Sequence, residues 1–120
     1  MILKKFKIEI YEWKVTFIEI TSKKDWKKVN KIQKGFGVDK NTIKETRMHI
    51  KAGSKDGGLH SWNRFRKSII LLYPSSSMRQ RIKVICHEKR HCEDRILEHL
   101  RVYGVEAPAY LAGYLSKKLI

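Results

Sequence analysis

Cysteine is scarce in this chain: two in 120 residues, Cys86 and Cys92. Both fall in a stretch that reads as one helix, where six residues of rise hold them about 9 Å apart, beyond the reach of a disulfide. Reduced, buried thiols are the expectation, because free cysteine packs as a small apolar residue; a cysteine ligand to a metal is the alternative. No apolar run approaches the length of a membrane span, and in "MILKKFKIEIYEW" the lysines come too early for a signal peptide. The expected location is therefore the cytoplasm, with no membrane partner. Acidic residues are also few: 12 Asp and Glu stand against 27 Lys and Arg, so 27 − 12 gives +15. Such a charge favours phosphates and acidic surfaces, nucleic acid among them, without fixing a fold.

The composition is otherwise that of a folding chain. With 42% apolar residues and a mean hydropathy of −0.49, 120 residues suit one domain, 1–120, around one core. No repeat, linker or low-complexity segment divides it.

In "FKIEIYEWKVTFIEI", Phe6, Ile8, Ile10 and then Val15, Phe17 alternate with polar residues. That period predicts two strands with an irregularity near Glu12 and Trp13. In "TSKKDWKKVNKIQKGFG", Ser22 and Asp25 form a capping-box pattern, Trp26, Val29 and Ile32 recur at helical spacing, and Gly35 or Gly37 supplies a stop. The helix's lysines, from Lys23 to Lys34, form either a solvated face or a phosphate-binding stripe. "TIKETRMHIKAG" reads as a strand through Ile43, Met48 and Ile50, and "SKDGGLHSW" as a Gly-rich turn or loop. "KSIILLYP" is a further strand that Pro74 ends. A long helix then runs from about Met78 to about Tyr103 before Gly104, and "EAPAYLAGYLSKKL" closes the chain as a last helix. This order predicts an α+β fold: a small, mostly antiparallel sheet with an N-terminal helix, a long helix and a C-terminal helix.

The long helix carries "HEKRH" at 87–91. At 100° per residue, Ile82, Ile85, Cys86, Cys92, Ile96, Leu97 and Leu100 form an apolar stripe. His87, His91, Asp94 and Glu98 lie about half a turn away. That side is either a solvent face or the floor of a cleft. Histidines at i and i+4 sit about 6 Å apart along the axis and can converge on one ion. Zn²⁺ held by neutral imidazoles lowers the pKa of a water towards about 7, and a carboxylate that is not a ligand, Glu88, takes the proton. A catalytic zinc needs a third protein ligand. Asp94 is near His91 but begins to run past the ion, and Glu106, opening the last helix, is either a ligand returned from that helix or a first-turn carboxylate favouring the helix dipole.

With these residues in view, the chain resembles the zincin metallopeptidases, and within them small single-domain gluzincin-type HExxH proteins, including compact forms encoded by bacteria and their phages. The resemblance covers roughly the last 40 residues, by motif and context. It implies a zinc-dependent hydrolase acting on peptide bonds, with Zn²⁺ on His87, His91 and Glu106 and Glu88 as general base. Ala109 completes the E-x-x-A pattern that Glu106 opens, although Pro108 lies inside it. It also implies that "KSIILLYP" forms the cleft edge that pairs with an extended peptide. Asp94 is then a residue that orients a ligating histidine or pairs with a nearby arginine. Tyr110 and Tyr114 either polarise a substrate carbonyl or pack, while His49 and His60 lack partners at ligand spacing and default to surface or capping roles. The alternative is a basic nucleic-acid-binding or virion-associated protein whose zincin-like site is structural or vestigial.

Overall fold

The alternation in the first twenty residues produces β1 (Ile2–Ile8) and β2 (Trp13–Glu19), antiparallel, with Ile2 opposite Glu19 and Ile8 opposite Trp13. The phase shift between them is a 3-10 turn, Glu9–Tyr11, closed by Glu12 in the left-handed region at φ 51°. This computed structural model describes residues 1–101 and 106–120, Glu106 through its backbone only.

Ser22 and Asp25 make the expected capping box: the Ser22 hydroxyl accepts from the Lys24 N–H, and Asp25 Oδ2 accepts from the Ser22 N–H at 3.1 Å. The capped 3-10 turn runs on into α1 (Trp26–Phe36), which Gly37 ends at φ 94°. Residues 43–50, expected as a strand, lie instead in α2 (Lys40–Ala52). Its buried residues, Thr46 and Ile50, follow helical spacing, and Met48, which the period-two reading put inside, is 59% exposed. Local signals specify this helix: Asp39 caps it by accepting from the Thr42 N–H, and Gly53 closes it at φ 74°.

The second correction is β3 (Gly58–Asn63), a strand where a loop was expected, paired antiparallel to β4 (Lys67–Leu72). Its polar side chains suit an edge strand, which has one neighbour and one solvated flank. β4 also pairs parallel to β2, so the sheet order is β1-β2-β4-β3. Helices cover both faces of β4, and five of its six residues are buried, which accounts for the unbroken apolar run. α3 (Met78–Leu100) starts at Ser77, whose hydroxyl accepts from the Gln80 N–H, and ends before Arg101 at φ 53°, three residues short of Tyr103. α4 (Glu106–Leu119) completes the α+β fold.

The sheet separates two apolar clusters. Ile18, Ile20, Ile69 and Leu71 face α1 and α2 through Val29 and Ile50. Trp13, Val15, Phe17, Ile70 and Leu72 face α3 and α4 through Ile85, Cys92, Ile96, Leu111 and Leu115. The buried stripe of α3 is thus Val84, Ile85, Glu88, Cys92 and Ile96, while Ile82 and Cys86, both expected inside, are exposed. Among the described residues, no helix is long and apolar enough to cross a membrane.

Candidate metal centre

One turn of α3 separates His87 from His91, and both lie on its exposed side. Their Nε2 atoms stand 3.1 Å apart with the rings nearly perpendicular, at 87°. Two neutral imidazoles with facing lone pairs repel, so this approach is reconciled by one proton held between them or by one cation bound to both. Ligand nitrogens at 2.0–2.1 Å from a tetrahedral zinc stand about 3.3–3.4 Å apart. The pair therefore fits zinc to within a few tenths of an ångström.

Glu88, next to His87, is buried where the histidines are exposed. It is 6% exposed, one of the few buried charged residues, with Oε1 3.9 Å from His87 Nε2. Burial pushes its carboxyl above the ordinary range, against the opposing pull of His87 and His91. A carboxylate short of solvation is a stronger proton acceptor than one in water. What buries it is β3, which crosses α3 so closely at Gly58 that a Cβ there would lie 2.9 Å from Glu88 Cγ, 3.0 Å from Val84 Cγ1 and 2.7 Å from the Leu71 carbonyl oxygen. Two clefts open on either side of this crossing. One, about 350 Å³, runs past His60, Trp62, His91 and Arg95; the other, about 560 Å³, past Asp56, Gln80, Lys83 and His87; Gly58 and Glu88 line both. Gly58→Ala is expected to push β3 off α3 and cost about 1–3 kcal/mol, as overpacking does. Urea unfolding measures this, and a midpoint equal to wild type would contradict the crossing.

The strand that can receive an extended peptide is β3 rather than β4, contrary to the expectation for "KSIILLYP". β4 is hydrogen-bonded on both sides, whereas among the described residues β3 has a strand neighbour on one side only. A peptide adds only to a free edge.

His60, which the sequence offered no reason to place here, lies in the first cleft with Glu88 and His91. The indole N–H of Trp13 donates to Ser68 Oγ at 2.9 Å, and that hydroxyl stands 3.0 Å from His60 Nε2. Burial, with His91 and Arg95 nearby, pushes His60 down to about 4, so the ring is neutral near pH 7. The signal was non-local: His60 and Ser68 sit on paired strands, and neither has a sequence neighbour that implies the other.

The remaining candidates separate clearly. The side chain of Glu106 lies outside the described residues, and the described ones contain no group of three or more His, Cys, Asp or Glu that could hold a metal. Asp94 is exposed and lines neither cleft. Cys92 is buried, its thiol pushed up to about 12 by burial, and it lines neither cleft. Tyr110 and Tyr114 pack: Tyr110 meets Tyr11 edge-on, and the Tyr114 hydroxyl donates to the Lys7 carbonyl at 2.9 Å, fastening α4 to β1 at the sheet edge opposite β3. His49 sits on α2 beside Ser54, as a surface residue. No protein-family model, curated protein or solved structure matches the chain.

Proposed function

We propose that this protein is a zinc-dependent metallopeptidase, a hydrolase of peptide bonds, working in the cytoplasm. The observation that carries the reading is the division of labour on α3. Two histidine nitrogens converge at 3.1 Å on its exposed side, and the glutamate between them is buried under an edge strand. His87 and His91 would hold Zn²⁺, which when bound supplies an acidified water and an electrophile for a carbonyl. Glu88 Oε1 takes a proton on attack and returns it to the leaving amine. The free edge of β3 holds a protein or peptide substrate extended beside α3 by main-chain hydrogen bonds, and neutral His60 lines the cleft as a polar contact for that chain.

The third ligand in this reading is Glu106, with Asp94 as its competitor. α3 runs nine residues past His91 to Leu100, about 14 Å of rise, and α4 opens at Glu106. Metal analysis of protein purified without added zinc tests the proposal. One zinc per chain is expected in wild type, and His91→Ala should lower affinity by more than the roughly 10–100-fold that loss of a supporting partner costs. Glu106→Ala should do the same while Asp94→Ala keeps most of the metal; the reverse pattern would move the third ligand to Asp94. Wild type with far less than one zinc, or His91→Ala with unchanged zinc, would overturn the reading.

A further inference from the structure

The face of the sheet turned away from α3 carries a row of like charges. Lys7 on β1 is directly opposite Lys14 on β2, Lys14 is directly opposite Lys67 on β4, and all three are exposed. Directly paired residues share a face, and like charges so placed repel. Lysine on an edge strand has a structural reason, since it discourages edge-to-edge aggregation; that covers Lys7. It does not cover Lys14 and Lys67, which sit on the two interior strands. Lys5 adds a fourth ammonium on the same face, and among the described residues none of the four is in an ion pair.

These four lysines line one cleft of about 430 Å³, to which no acidic side chain contributes and which Phe36 closes at the end of α1. A separate cleft, about 420 Å³, is lined by Lys34, Lys40, Lys44 and Arg47, again with no acidic residue. Asn63, opposite Lys67, donates to the Phe36 carbonyl at 3.3 Å and so joins α1 to this end of the sheet. At the β3–β4 hairpin beside Lys67, Phe65 is 66% exposed between Arg64 and Arg66.

We infer that this face binds single-stranded nucleic acid, its phosphates over the Lys7–Lys14–Lys67 row and its bases against Phe36 and Phe65. Two interstrand spacings make the row about 10 Å wide, enough for one backbone and not two. Aromatic rings beside a cationic track are what a single strand uses, because its bases are free to stack. An anionic strand turns the repulsion along the row into attraction. The face is on the opposite side of the sheet from His87 and His91, so binding does not depend on the metal reading.

The test is fluorescence anisotropy with labelled oligo-dT and the full chain. Lys14→Gln/Lys67→Gln should weaken binding roughly tenfold or more and flatten the log–log salt dependence by about 1.4, two single-strand phosphate contacts. Relief of the repulsion should leave its Tm at or above wild type, which separates lost binding from lost fold. Lys117→Gln/Lys118→Gln, the same charge change on α4, should bind as wild type, and chelator should change nothing. The inference is overturned if wild type does not bind, if both double variants lose affinity equally, or if a duplex of the same length binds more tightly than the single strand.

Discussion

Glu88→Gln is expected to reduce peptide hydrolysis by about 10²–10⁴-fold, the range that a positioned general base contributes, with zinc content unchanged. The amide has the volume of the carboxylate, so the space beneath Gly58 stays filled, and it keeps the cleft lining shared by both openings. What it loses is the capacity to take a proton. Glu88 is buried while the two histidines are exposed, and an amide of the same shape at 3.9 Å from His87 Nε2 asks for no movement of the ring. Turnover of a fluorogenic peptide library, with metal content measured on the same preparations, reads both quantities. A variant within threefold of wild type in turnover would remove Glu88 from the chemistry, and one that had lost its zinc would make Glu88 a ligand.

Trp13→Ala should be the most damaging single change to the fold. Trp13 is 0% exposed, its indole N–H donates to Ser68 Oγ, and its ring meets His99 edge-on at 5.3 Å. Removing a fully buried tryptophan costs about 3–5 kcal/mol from lost transfer energy and the cavity left behind. Against a total stability of about 5–15 kcal/mol, that lowers Tm by roughly 10–20 °C for a chain of this size. Trp13→Phe keeps most of the apolar area and drops the N–H, which leaves Ser68 without its donor at a cost of about 1–3 kcal/mol. Thermal melts order the three proteins, and Trp13→Ala within 2 °C of wild type, by order of magnitude well under 1 kcal/mol, would contradict this core. Because Ser68 also stands beside His60, Trp13→Phe should disturb the cleft even where the fold survives.

Much of the architecture was legible because its causes are local. The capping box at Ser22 and Asp25, the stop at Gly37 and the alternation through Phe6, Ile8, Val15 and Phe17 all act within a few residues. α2 runs against its apolar pattern: Ile43, Met48 and Ile50 suggest a strand, but the cap at Asp39 and the stop at Gly53 act locally and set a helix. β3 is not legible locally, because an edge strand with polar side chains has no strong pattern of its own and gains its state from pairing with β4. Apolar residues alone put Ile82 and Cys86 in the stripe of α3. The packed face includes Glu88 and leaves Ile82 out, since β3 and β4 decide which side of the helix is covered.

By itself the sequence determined that His87 and His91 share one side of a helix one turn apart, because i and i+4 meet wherever a helix forms. It equally determined a strongly basic chain. Only the tertiary structure decided that Glu88 is buried, that β3 rather than β4 offers the free edge, that His60 joins the cleft, and that Lys7, Lys14 and Lys67 stand in one row. The physical reason is the same in each case. Helix faces follow from the rotation per residue, whereas strand order, strand register and the crossing of a strand over a helix are contacts between residues far apart in the chain, settled by how the whole core packs.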